Sequence, residues 1–297
     1  MNNASPIFAD AALPTRSQGA IRRTIKHYLR EPYVFIFGRP SMQSLNNAIL
    51  NLALNAKGFA NYYSCHPKST GEEIFLKLLS KHNPQLCIDV GANRGDYSEA
   101  LLHLTDSKII AFELLPRTFE ILAKLQTRFP NRFIALNKGV GDKNAELDLH
   151  FGDEDSTLAS FSKEVQQIDY VGQNNKKAIK MEVITLDSFF KESNYPGSLQ
   201  IDLLKIDTEG FEYEVLIGAK ETTENRKPKF IQMEYNWHQL FKGQSLYMLA
   251  SLLPNYSTYQ LLPHGSGLSQ IDVKRPESNI YHYSNFVFVR KDIPTRL

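Results

Sequence analysis

Cysteine is scarce in this sequence, with only Cys65 and Cys87 among 297 residues. That scarcity excludes a disulfide framework and fits a reducing, cytoplasmic setting, with Cys87 read as a small buried thiol inside an apolar run. No stretch approaches the ~20 apolar residues of a membrane span, and the N-terminus carries no signal-peptide core. An excess of one charge is missing too: 34 Lys and Arg against 32 Asp and Glu leave a formal net charge of +2. Without a long basic block, a nucleic-acid surface is not expected. What the chain does hold is a 42% hydrophobic fraction. That is enough for the core of one large domain, alone or with an extension.

Residues 1–20 are small, polar and proline-containing, and are expected to be mobile. Two helical patterns follow over 21–37 and 41–63, the second with Leu45, Ile49, Leu52 and Leu54 at apolar positions. Such an arm could pack on the main domain, lid a substrate site or make a homo-oligomer contact; packing is the favoured reading. The expected division is 1–70, tail and arm, and 71–297, main domain. From Gly71 helix and strand patterns alternate, with LCIDV, KIIAFE and RFIALN as strands and Pro116 opening a helix. This rhythm predicts an α/β fold whose parallel sheet has helices on both faces and all strand C-termini on one rim. The rhythm lapses over 142–200, where NAELDLHF and KMEVITLDSFF read as strands around a polar stretch. That stretch is expected to lie over the rim. The alternation then resumes with LLKID and KFIQMEY as strands, and STYQLLP and NFVFVRK form an antiparallel finish.

The densest signal is LCIDVGANRGDYS, residues 86–98. A buried strand ends at Asp89, and Gly91, Asn93 and Gly95 form a tight turn into a helix N-terminus, the junction where nucleotide-like ligands sit. Glycine there permits close backbone approach, and Asn tolerates unusual turn dihedrals. A dinucleotide fingerprint needs a third glycine, and here Ser98 or Ala100 lies near that place, which disfavours an NAD(P)-dependent oxidoreductase. A ligand without a pyrophosphate fits better, and S-adenosylmethionine is the leading candidate. Glu113, closing the next strand, is placed to grip ribose hydroxyls, and Asp142 could accept from an adenine amino group. The alternative for the loop is an ordinary turn in which Asp89 serves as a buried cap.

A second charged segment, LLKIDTEG, sets Lys205, Asp207 and Glu209 at alternate positions of an apolar strand and its exit. Charges there must be paired or functional. Lys205 reads best as an ion-pair partner and Asp207 as a group for chemistry. The next strand delivers Glu234, Asn236 and His238 to the same edge. Asp207, Glu234 and Asn236 form an oxygen set suited to Mg²⁺. Without a metal, His238 or Asp207 would accept a hydroxyl proton.

In combination, CIDVGANRGDYS, IIAFELLPRTFEIL, VGDKNAELDLHF, VITLDSFF, LLKIDTEGFEYEVLIGA and IQMEYN resemble the FkbM family of S-adenosylmethionine-dependent O-methyltransferases. The resemblance implies a Rossmann-like class I methyltransferase fold: a seven-stranded, mostly parallel sheet, here with an N-terminal helical extension. It implies Asp89, Gly91, Asn93, Gly95 and Glu113 as cofactor contacts, and Asp207, Glu209 and Glu234 at the methyl-transfer edge. The family places proline directly after the second-strand acid, whereas Leu114 and Leu115 precede Pro116 here. The implied activity is methyl transfer to a hydroxyl, of a sugar in a glycan or of a glycosylated small molecule. A non-catalytic scaffold is disfavoured, because it has no use for costly acids on an apolar background.

Overall fold

A computed structural model describes residues 8–9, 28–59, 70–154, 156–193, 195, 199–263 and 267–294. Strands β2 (Leu86–Val90), β3 (Lys108–Phe112), β4 (Phe133–Leu136), β8 (Leu203–Ile206) and β9 (Phe230–Tyr235) run parallel in the order β4-β3-β2-β8-β9. Beyond β9 lie β12 (Ser284–Arg290) and β10 (Tyr256–Leu262), with β12 antiparallel to both neighbours. Because β3 and β4 lie on one side of β2 and β8 on the other, the strand order reverses at β2/β8. A crevice opens above the strand C-termini at such a switch point.

Period-two alternation divides the core between the two faces of the sheet. Cys87 and Ile109 pack with Leu101, Leu122 and Leu125, which come from α3 (Asp96–Leu104) and α4 (Pro116–Arg128). Ile88 and Ile110 pack the opposite way with Leu186, Val215 and Leu246. Each fully buried Leu or Ile contributes roughly 1.5–3 kcal/mol, so this double-sided burial supplies the main driving force. Cys87 is buried, as read from its apolar run; Cys65 lies outside the described residues.

Four local expectations are corrected. Among the described residues the sheet has nine strands rather than seven, because β11 (Gly267–Gln270) folds back on β10 and β1 (Phe8–Ala9) pairs with β11. Residues 8–9, expected to be mobile, are therefore in a strand. The LDSFF segment is helix α6 (Leu186–Glu192), since the Thr185 hydroxyl accepts from the Ser188 N–H at 2.9 Å and caps it. The single helix that the alternation implies between LLKID and KFIQMEY is two, α7 (Glu212–Ile217) and α8 (Lys220–Asn225), broken where a Cβ on Gly218 would collide with the Gly141 carbonyl.

The strands read in 142–200 are β6 (Ala145–Phe151) and β7 (Lys177–Ile184), which join β5 (Gly139–Val140) in a separate small sheet. Between them the chain forms α5 (Asp169–Asn174) and folds back over the rim. The arm consists of helical residues 28–37 and α1 (Gln43–Ala56). The remainder of its two expected patterns, 21–27 and 60–63, lies outside the described residues. Of α1 only Leu54 is buried; with Phe59 it enters the main core, while Leu45, Ile49 and Leu52 remain exposed. Among the described residues, packing of the arm on the core is thus at its C-terminal end. No helix among the described residues is long and apolar enough to cross a membrane.

Candidate active site

The turn after β2 is built by backbone geometry. Gly91 (φ 80°) and Asn93 (φ 48°) both lie in the left-handed region. The N–H groups of Gly91 and Ala92 donate to the Phe112 carbonyl at the end of β3. A Cβ on Gly91 would strike the Asp207 carbonyl oxygen, so glycine is what lets this turn lie against the exit of β8. Gly95 (φ 92°) opens α3, and a Cβ there would press on Leu122 and Leu125 of α4.

Gly91, Asn93, Glu113, Asp207, Glu209 and Glu234 all line one cavity of ≈ 460 Å³, together with Thr157, Ser160, Phe161, Phe211 and Tyr283. The glycine turn and the carboxylates therefore converge on a single crevice. Both Glu113 oxygens face backbone donors, Oε2 taking the Asn93 N–H at 2.8 Å and Oε1 the Leu115 N–H at 2.9 Å. The second bond uses the residue inserted ahead of Pro116, so the shifted helix entry still leaves Glu113 on the cavity wall. Burial pushes its carboxyl up to about 7, against the pull of those backbone donors. Asn93 presents a buried Oδ1 with no hydrogen-bond partner.

Oxygens of Asp207, Glu209 and Glu234 lie within 4.8 Å of one another. Lys205 Nζ donates to Asp207 Oδ2 at 2.8 Å. Burial, then the charges of Asp207, Glu209 and Glu212, push the Glu234 carboxyl well above the usual carboxylate range. Glu209 (φ 52°) and Gly210 (φ 94°) turn the chain sharply. Glu212 closes that turn, with Oε1 accepting from Thr208 N–H at 2.9 Å and Thr208 Oγ1 at 3.0 Å, and Oε2 from Gln239 Nε2 at 2.5 Å. Ser160, from the segment over the rim, donates to the Glu209 carbonyl at 2.8 Å.

Several expected residues sit elsewhere. Asp89 and Ser98 are bonded to each other at 2.7 Å beneath the turn and do not line the cavity. Asp89 does not cap the helix either: α3 has no side-chain cap, and the Ser98 hydroxyl is what satisfies one Asp89 oxygen. Gly95 acts through helix packing rather than at the cavity wall. Asp142, in the bend between β5 and β6, is exposed and does not line the cavity. Lys205 lies under the cavity floor, where its ammonium also stands 4.9 Å above the Tyr97 ring.

Asn236 is not free to be a cation ligand: Oδ1 accepts the His238 N–H at 2.7 Å, capping α9 (Trp237–Phe241), and Nδ2 donates to Glu234 at 2.5 Å. The oxygen set is thus Asp207, Glu209 and Glu234. His238 is fully buried behind Glu209, Nδ1 standing 3.0 Å from Glu209 Oε2 without hydrogen-bond alignment. Sequence reasoning missed Glu212, Ser160, Phe211 and Tyr283. Only Glu212, an acid two residues after Gly210, carried a signal in the pattern.

A family model described as the methyltransferase FkbM domain matches residues 89–261. The 2-O-methyltransferase NoeI of Sinorhizobium fredii is 28% identical over 201 residues, spanning 64% of this chain and 79% of that protein. Among solved structures, a precorrin-6y C5,15-methyltransferase from Geobacter metallireducens aligns with a TM-score of 0.41 and 10% identity, over 80% of this chain and 97% of that one. An O-methyltransferase from Bacillus cereus, in complex with SAH, aligns with a TM-score of 0.40 and 13% identity, over 89% and 97%. With both scores below 0.5, the fold assignment rests on the sheet topology itself.

Proposed function

The chain belongs to the methyltransferase FkbM domain family, and from that premise we propose that it transfers a methyl group from S-adenosylmethionine to a hydroxyl oxygen. The acceptor is a sugar in a glycan or in a glycosylated small molecule. The observation that carries the reading is the convergence of the Gly91 turn, Glu113 and the three carboxylates on one cavity. Oxygen as acceptor is also what the name of the 2-O-methyltransferase relative supports.

The cofactor fits the residues present. Gly91 holds the turn against the β8 exit, the orphaned Asn93 Oδ1 offers an acceptor, and Glu113 would hold the ribose diol. When bound, S-adenosylmethionine supplies a methyl group made electrophilic by its sulfonium. Asp207, Glu209 and Glu234 would orient the acceptor hydroxyl, and Asp207 or Glu209 would take the proton it releases as its oxygen displaces the sulfonium sulfur from the methyl carbon. Glu234, whose hold on its own proton is raised by burial and by the neighbouring acids, would orient the hydroxyl rather than take its proton. Lys205 fixes Asp207 from below. Much of the rate would come from positioning for in-line displacement.

Isothermal titration with S-adenosylhomocysteine is the test, with micromolar-range affinity expected. No binding at millimolar ligand would reject the reading. Because the three carboxylates also suit a divalent cation such as Mg²⁺, chelation separates two forms of the chemistry. Turnover lost in EDTA and restored by Mg²⁺ places a cation among the acids, and unchanged turnover leaves proton uptake to the acids alone.

A further inference from the structure

The N-terminal arm exposes an apolar surface that nothing else among the described residues covers. Within helical residues 28–37, Leu29, Tyr33, Val34, Phe35 and Ile36 are exposed, Phe35 at 75%. On α1, Leu45, Ile49 and Leu52 recur at four- and three-residue spacing and form one stripe, with Leu52 71% exposed. The two helices are held together through Asn46, whose Oδ1 accepts from the Tyr33 hydroxyl at 2.9 Å and whose Nδ2 donates to the Phe37 carbonyl at 2.8 Å. This pairing makes the arm a preformed element.

Charge identifies what such a surface meets. Residues 1–70 hold eight Lys and Arg against the two acids Asp10 and Glu31, leaving 26 basic against 30 acidic residues in the rest of the chain. The near-neutral total conceals a basic N-terminal sequence ahead of an acidic remainder, with Arg30, Arg39 and Lys57 against Glu31 among the described residues of the arm. Two such arms repel each other, which disfavours a second copy of this chain as occupant, whereas an anionic lipid surface attracts the charge and accepts the apolar side chains. With 14 residues, α1 is about 21 Å long, too short to span a bilayer, so the arm would lie in the interface.

We propose that the arm docks the protein peripherally on anionic lipid. The Gly58 carbonyl, just past α1, accepts from the Ser284 hydroxyl at 2.9 Å, and Ser284 follows Tyr283 of the cavity wall. The docked arm therefore holds the cavity-bearing edge close to the lipid surface.

The test is flotation of the full chain with phosphatidylcholine vesicles, with and without phosphatidylglycerol. Binding is expected only with phosphatidylglycerol and should weaken steeply as salt rises. The double variant Arg30→Gln, Arg39→Gln should weaken it roughly tenfold. Leu52→Asn with Phe35→Asn should abolish it, with the thermal transition unchanged, since these side chains are exposed. Equal binding to neutral vesicles, no binding to anionic ones, or a dimer in light scattering that Leu52→Asn dissociates would each overturn the proposal. None of these readouts depends on cofactor binding, so they stand or fall separately from the methyl-transfer reading.

Discussion

Asp207 carries two duties on one carboxylate. Its Oδ2 accepts from the Lys205 ammonium, while the residue also forms part of the cavity wall beside Glu209 and Glu234. Removing it leaves Lys205 without its closest partner and takes one acid from the set that receives the hydroxyl proton. Asp207→Ala should therefore lower kcat by roughly 10²–10⁴, with affinity for S-adenosylhomocysteine kept within a few-fold. Turnover like that of the parent protein would take Asp207 out of the mechanism. Glu113 makes a prediction in pH. Its folded-state carboxyl is raised from 4.5 to about 7 by burial, so the folded state holds a proton that the unfolded chain has already released. Stability from this group is full below about pH 4.5 and is lost as pH rises through about 7. Ribose hydroxyls donate best to the ionised form, so cofactor affinity should strengthen from about pH 6 to about pH 8. Glu113→Gln should weaken binding about tenfold and flatten that profile, both read by calorimetry. A profile equally steep in the variant would assign the titration to another group.

At the scale of elements, the turn between β2 and α3 is the most constrained. Gly91 lies where a methyl group would meet the β8 exit, so Gly91→Ala must push the turn away from Asp207. The expected outcome is a loss of about 1–3 kcal/mol in urea unfolding and a larger proportional loss in cofactor affinity. Intact affinity would show that the turn and β8 can separate without harm. This turn was legible in the sequence because Gly, Asn and Gly each mark a backbone conformation that other residues avoid. Asp142 and Asn236 were misplaced for a related reason. A polar residue after a strand can face the cavity or serve the next helix, and only packing decides. Asn236 caps α9, as Thr185 caps the helix that LDSFF had suggested as strand. The segment over the rim was legible as a long polar connection, but Ser160 and Phe161 could not be assigned to the cavity wall, since its folding depends on the small sheet beneath.

Across the whole molecule, the parallel sheet was readable from alternating patterns, whereas β11 and β1 were not, being short edge strands with no alternation of their own. Nor did the sequence reveal that residues from six elements would meet in a polar row under the cavity. Asp89, Lys205 and Gln232 are cross-strand neighbours in register on β2, β8 and β9. Tyr97 of α3 donates to Gln232 Oε1 at 2.6 Å, and Gln232 Nε2 donates to Glu72 of α2 (Glu72–Ser80) at 3.0 Å and to Asn285 of β12 at 3.2 Å. Burial opposes the charged Lys205 ammonium, but Asp207, Asp89 and Glu72 outweigh it and raise its hold on the proton above that of an ordinary lysine. One cation thus compensates acids from three elements. Lys205→Met fills the same volume but strands those acids, and breaking a buried pair from one side costs roughly 3–5 kcal/mol. Urea unfolding near pH 7 should show that loss. The deficit should shrink toward pH 5, because burial already raises the Glu72 and Asp89 carboxyls and lets them take up protons there. Tyr97→Phe, which removes one hydrogen bond and no charge, should cost only about 1 kcal/mol with little pH dependence. If both variants lose the same amount at both pH values, the row is held by packing, and the charge of Lys205 is not what joins α2 and α3 to the centre of the sheet.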